Sequence, residues 1–162
     1  MRRNLCPQDN RRSRWRRIHS AAFATRSQEQ YKTKTMSELL QKARDAGKNA
    51  YCPYSNFHVG AAVETDLGVF VGCNVENASY GLCNCAERTA IFSAIAAGAK
   101  EFRRLSVSCL DAAENAASNS KMPCGACRQV IAEFFAQDSV IEVDGAGEFT
   151  VAQLLPMAFL LN

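Results

Sequence analysis

Residues 58–75 read HVGAAVETDLGVFVGCNV, and this stretch decides the fold class. Segments 58–65 and 69–75 are apolar and β-branched. Asp66-Leu67-Gly68 between them carries turn chemistry, so the pair predicts a β-hairpin. Upstream, Leu39, Leu40, Ala43, Ala46 and Ala50 recur at helical spacing, which predicts an amphipathic helix over 37–50 that Pro53 ends. Downstream, residues 86–99 are alanine-rich with Ile91, Phe92 and Ile95, the pattern of a buried helix capped by Gly98. Residues 105–110 have strand composition, 111–122 form a polar loop, and 125–136 repeat the helical pattern through Val130, Ile131, Phe134 and Phe135. A short strand over 140–143 is ended by Gly145 and Gly147, and Thr150 suits the cap of a last short helix stopped by Pro156. Helix, hairpin, helix, strand, helix, strand in this order predicts an α/β domain: a three-layer α-β-α sandwich with a mixed sheet of about five strands.

The chain has 162 residues, enough for one domain, and its 48% hydrophobic and 22% charged content is that of an ordinary globular protein. The run 90–99 is only about half the ~20 apolar residues that a bilayer requires, so no membrane span is expected. Charge is divided unevenly. Residues 1–35 hold ten of the nineteen Lys and Arg and two of the sixteen Asp and Glu, a net +8, which leaves −5 on residues 36–162. An acidic domain argues against a nucleic-acid partner, because such a domain needs a basic face of its own. The chain therefore divides into a basic leader, 1–35, with no sustained period and few aliphatics, and a domain, 36–162. The leader reads as a disordered extension ahead of Met36, as a transit peptide, or as a basic arm. A cytoplasmic location is expected unless the transit reading holds, which would make it mitochondrial.

Eight cysteines occur without a secretory signal, so a disulfide framework fits poorly. Cys73 and Cys109 lie in apolar strand segments and read as small core residues. Cys83, an extra thiol two residues before Cys85, reads as an inert loop thiol, or as one that competes for metal or oxidises. Cys124-Gly125-Ala126-Cys127 is different, because two thiols on the first turn of a helix can grip one ion, and the helix N-terminus favours their thiolate form. Redox pairs, structural zinc and catalytic zinc all use this spacing. A redox pair normally follows the first strand of a βαβ unit, and a structural zinc would want a fourth protein ligand, whereas this pair comes late and has no second Cys-x2-Cys. Cys85-Ala86-Glu87 opens the other long helix. Cys85, Cys124 and Cys127 make a three-ligand zinc site with an open position for water, and Glu87 stands beside it as a carboxylate that need not ligate.

Cys85-Ala86-Glu87 followed by Pro123-Cys124-Gly125-Ala126-Cys127 is similar to the signature of zinc nucleoside deaminases. Tyr54-Ser55-Asn56-Phe57, Val59-Gly60-Ala61-Ala62, residues 72–78, 85–90 and 124–130 extend the likeness, and from about Met36 to Phe159 the chain resembles the short, homotetrameric cytidine deaminases. The resemblance implies a cytidine deaminase-like fold, one zinc per subunit, and hydrolysis of cytidine and deoxycytidine to uridine and deoxyuridine with release of ammonia, a pyrimidine-salvage reaction. It implies that Glu87 carries protons between water, N3 and the leaving amine. Zinc with three thiolates is a net −1 centre, and by resemblance Arg88 donates to those thiolates to offset the charge. Arg128 could help or could be a surface charge.

Asn74 and Glu76 stand at i and i+2 leaving a strand, so their side chains point the same way. The family uses such a pair for the ribose 3′-hydroxyl, and a carboxylate there would repel a phosphorylated sugar. By the same resemblance Phe57 faces the pyrimidine ring and Ala86 belongs to the binding pocket. Ala78 and Tyr80 reach a neighbouring subunit's site, and Phe159 closes one. Two departures stand out: loop 111–122 looks longer than the type, and Met122 replaces a small hydroxyl residue. The competing readings are a deaminase of a related aminopyrimidine such as a blasticidin-type antibiotic, a polynucleotide deaminase, and a non-catalytic zinc-binding module.

Overall fold

A computed structural model of the chain describes residues 28–161. Residues 1–27, on which most of the leader readings rest, lie outside the described residues. Helix α1 runs Gln28–Gly47. It begins ahead of Met36, so the division drawn there falls inside a helix. Gln28 to Lys34 contain good helix formers and neither glycine nor proline, which lets backbone hydrogen bonds continue without an apolar stripe. At its other end α1 stops at Gly47, short of Ala50.

The hairpin forms as β1, Val59–Thr65, and β2, Gly68–Cys73, paired antiparallel from Gly60–Cys73 to Thr65–Gly68. β3, Phe102–Cys109, pairs antiparallel with β1 on its other side; β4, Phe135–Val143, is parallel to β3, and β5, Gly147–Thr150, returns antiparallel to β4. The order is β2-β1-β3-β4-β5, a mixed five-stranded sheet with one parallel pair. β4 begins directly at the end of helix α3, Gly125–Phe134, with no intervening loop. Phe102 pairs with Phe135 and Arg104 with Val140, so 136–139 bulge and the regular ladder starts where strand composition does. β5 has no strand signal in the sequence, because it is four residues long and opens on Gly147-Glu148.

Side chains alternate across the sheet. Ala61, Val63, Leu105, Val107, Ile141 and Val143 face the main core, with Ala90 and Ile91 of α2 (Ala86–Ala96), Ile131 of α3, and Val151 and Leu154 of α4 (Val151–Leu154). Ala62 faces the opposite way, onto Leu39 and Ala43 of α1. These are the three layers. Two glycines set the spacing between them. A Cβ on Gly60 would collide with the Ala43 carbonyl of α1, and one on Gly72 with the backbone of Ala90 and Ala86 in α2. The second contact holds the start of α2 tight against β2. α2 closes through Gly98 at φ +96°, a conformation that glycine adopts cheaply. α4 starts on a capping box in which Thr150 and Gln153 satisfy each other's backbone N–H groups.

Candidate metal centre

Cys85 is the N-cap of α2 and Cys124 the N-cap of α3, so two helix N-termini converge on one point. The Cys85 and Cys124 sulfurs lie 3.9 Å apart, those of Cys124 and Cys127 3.5 Å, and all three fall within 4.8 Å of one another. Thiolates at about 2.3 Å from one tetrahedral ion stand about 3.8 Å apart, so the donor set and its spacing fit zinc. Cys127 is buried, Cys85 half-buried and Cys124 exposed, which leaves the centre open on the Cys124 side. Hydrogen bonds from the Cys127 thiol and from Arg88 draw the Cys85 thiol down to about 5, while the same Cys85 contact and burial push Cys127 up. A metal needs ligands that release their protons, and Cys85 does so more readily than Cys127.

Glu87 sits in the first turn of α2 and is 4% exposed. Burial pushes its carboxyl above the ordinary range, so this group holds a proton readily. Arg88 reaches back from the same turn, giving Nη2 to the Cys83 carbonyl at 3.1 Å and to the Cys85 sulfur at 3.5 Å. Among the described residues its buried Nε has no hydrogen-bond partner. Thr89 Oγ1 donates to the Cys85 carbonyl at 3.2 Å and accepts from Asn84 at 3.0 Å, bracing the ligand's main chain. Ala86 is fully buried, so its methyl group belongs to the core and only its main-chain N–H, one of the free donors of a helix start, can serve a ligand.

The other site candidates frame the segment that carries Phe57. Asn74 Oδ1 accepts from the Val59 N–H and its Nδ2 donates to the Phe57 carbonyl, both at 2.8 Å, so its carboxamide grips the backbone on either side of His58. Glu76 Oε2 accepts from the N–H groups of Tyr54 at 2.9 Å and Ser55 at 3.2 Å; hydrogen bonding to Ser55 holds its carboxyl below the usual range. Asn56 adopts φ +53°, a left-handed turn that asparagine tolerates, immediately before Phe57. Asp111 completes the frame from the end of β3, accepting from the His58 N–H and meeting its Nδ1 at 2.8 Å. In the sequence Asp111 is only the start of a polar loop, and no local pattern announces a carboxylate whose partner lies 53 residues away.

Ala78 is exposed, and so is Tyr80, at 75% in the 3-10 turn Tyr80–Leu82; the Tyr80 ring stands edge-on to Tyr54 at 6.1 Å. Phe159 is 68% exposed in the C-terminal segment. Cys83 folds its thiol onto Asn77, accepting from the N–H at 3.3 Å and donating to the carbonyl at 3.5 Å. Met122 packs partly buried against the main core. Arg128 spans two carbonyls, Pro123 at 2.8 Å and Leu154 at 3.0 Å, a role that neither sequence reading anticipates. Among the described residues no helix is long and apolar enough to cross a membrane.

Residues 33–143 match the family model for the cytidine and deoxycytidylate deaminase zinc-binding region. A cytidine deaminase of Sporosarcina psychrophila is 43% identical over 129 residues, covering 76% of this chain and 90% of that protein. A probable cytidine deaminase of Dictyostelium discoideum is 47% identical over 102 residues, 60% of this chain and 66% of its own. Among solved structures, a cytidine deaminase from Burkholderia pseudomallei is 45% identical with a TM-score of 0.65, covering 76% of this chain and 98% of that one.

Proposed function

The chain belongs to the cytidine and deoxycytidylate deaminase family, and from that premise we propose that it hydrolyses the exocyclic amine of cytidine and deoxycytidine. The C4–N bond is broken, a C4–O bond is made, and uridine or deoxyuridine leaves with ammonia. Cys85, Cys124 and Cys127 hold one zinc per subunit. When bound, zinc supplies the Lewis acidity that makes a water molecule nucleophilic near neutral pH.

Glu87 is the catalytic acid and base: its carboxylate takes one proton of water and passes it to N3, then takes the remaining proton from the new C4 hydroxyl and gives it to the leaving amine. Its burial supports this role, because a buried carboxyl keeps a proton that an exposed one would lose. Arg88 donates toward the thiolates and offsets their charge. The Ala86 N–H faces the base, and Phe57 packs on its ring. Asn74 and Glu76 receive the sugar hydroxyl, Asn74 through the N–H of its carboxamide that the Phe57 carbonyl does not take. A carboxylate beside the sugar disfavours phosphorylated substrates.

The exposed Ala78, Tyr80 and Phe159 complete sites of neighbouring subunits in a homotetramer, a reading that their exposure supports. Three thiol ligands need a reducing compartment, which supports a cytoplasmic location. The catalytic domain is 36–162 together with the start of α1 from Gln28, which a cut at 36 would divide.

The observation that carries this reading is the convergence of three sulfurs beside a buried carboxylate. It is tested by following cytidine absorbance in wild type and Glu87→Gln, with zinc analysis of both. About one zinc per chain in each, with turnover lost by at least about a hundredfold in the mutant, is expected of a proton carrier. Turnover retained in Glu87→Gln removes Glu87 from the chemistry. Zinc without turnover of either nucleoside redirects the site to another aminopyrimidine.

A further inference from the structure

Arg128 and Gln129 stand side by side on α3, immediately after Cys127. The Arg128 guanidinium donates from Nε to the Pro123 carbonyl at 2.8 Å and from Nη1 to the Leu154 carbonyl at 3.0 Å. Pro123 is buried and is bonded directly to Cys124, a ligand whose own side chain is exposed. Leu154 is the last residue of α4, and its side chain is buried in the main core. Gln129 Nε2 donates to the Phe159 carbonyl at 2.7 Å. Two neighbouring side chains therefore clasp the backbone at 154 and 159, and one of them also fixes the residue before a zinc ligand.

We propose that Arg128 is a positioning residue: with Gln129 it couples the seat of the C-terminal segment, 154–159, to the placement of the Cys124 thiolate. The inference rests on the zinc reading and extends it to residues that touch neither metal nor substrate. Planarity is the reason an arginine is needed. One rigid fork holds two carbonyls at fixed separation, which a lysine ammonium on a flexible stem does not reproduce. Coupling of this kind runs in both directions, so whatever moves the segment that carries Phe159 changes the hold on the metal.

The test measures zinc release from purified holoenzyme into a chelator, together with the visible spectrum of the cobalt-substituted protein. Arg128→Gln is expected to release zinc about tenfold faster or more, the range seen when groups that orient metal ligands are removed, and to shift the cobalt–thiolate bands. Arg128→Lys is expected not to rescue it; full rescue by lysine would assign the effect to charge and overturn the fork. Gln129→Ala leaves the ligand turn untouched and should also speed release, by a smaller factor. If Arg128→Gln fails to fold, Gln129→Ala decides alone, and unchanged release there overturns the coupling. Wild-type rates in both variants do the same. A wild-type chain that holds no zinc overturns the zinc reading and this inference together, whereas zinc held with unchanged release overturns the inference alone.

Discussion

Arg88 has one Nη on a backbone carbonyl and on the Cys85 sulfur, while its buried Nε has no partner among the described residues. A guanidinium left partly unsatisfied beside thiolates is there for its charge. Replacing it by glutamine should lower zinc affinity or turnover about 10- to 100-fold in a protein that still folds. Zinc content after dialysis, read beside kcat, checks this; unchanged values in both remove Arg88 from charge compensation. The ligand set was legible in the sequence because a metal imposes spacing: two thiols three residues apart on one turn, and a carboxylate two residues past the third thiol. The bracing of Phe57 was not. Asn74 and Asp111 bind main-chain atoms of residues 57–59, and every residue type but proline offers those same atoms, so nothing in the pattern marks them.

At the scale of elements, the close contact between β2 and α2 places Cys85. Gly72→Val would force α2 away from the sheet at Ala86 and Ala90, on the turns that follow the ligand. Overpacking of this kind costs about 1–3 kcal/mol, and here zinc content should fall along with the melting temperature. A valine variant with full zinc and an unchanged melt would show that the contact is soft. Thr150→Ala removes one half of the α4 capping box and should cost about 1 kcal/mol in the same melt. Thr150 was readable as a cap because capping is local chemistry. β5 was not, because a four-residue edge strand gains its identity from its pairing with β4, and that pairing is a property of the sheet. The start of α1 escaped for a related reason: hydrophobic period marks where a helix is buried, and the polar turns from Gln28 onward have none.

At the scale of the whole molecule, Arg44 of α1 is tied to Asp144, past the end of β4, at 2.8 Å through both Nε and Nη2, with Ser108 donating to the same carboxylate at 2.6 Å. The Arg44 bond first, and then Ser108, hold the Asp144 carboxyl below its ordinary range. A depressed carboxyl contributes stability at pH above its unfolded value and loses it as pH falls through the folded one. Acid titration of Asp144→Asn should therefore show lower stability than wild type at neutral pH and a gap that narrows below about pH 4. A constant gap would mean that the pair acts through packing alone. Assembly is tested by light scattering: the mass of four chains, with activity lost on dissociation, is expected if Tyr80 and Phe159 serve neighbouring sites. Cys85 and Cys124 are 39 residues apart in sequence, and the segment between them contains β3, third of the five strands. An ion held by both thiolates is thus a cross-link that closes a loop around the middle of the sheet. A covalent bridge closing a loop of that length would restrict the unfolded chain by about 4 kcal/mol, so the metal's hold on two helix ends is also a restraint on the disorder available to the polypeptide once it opens.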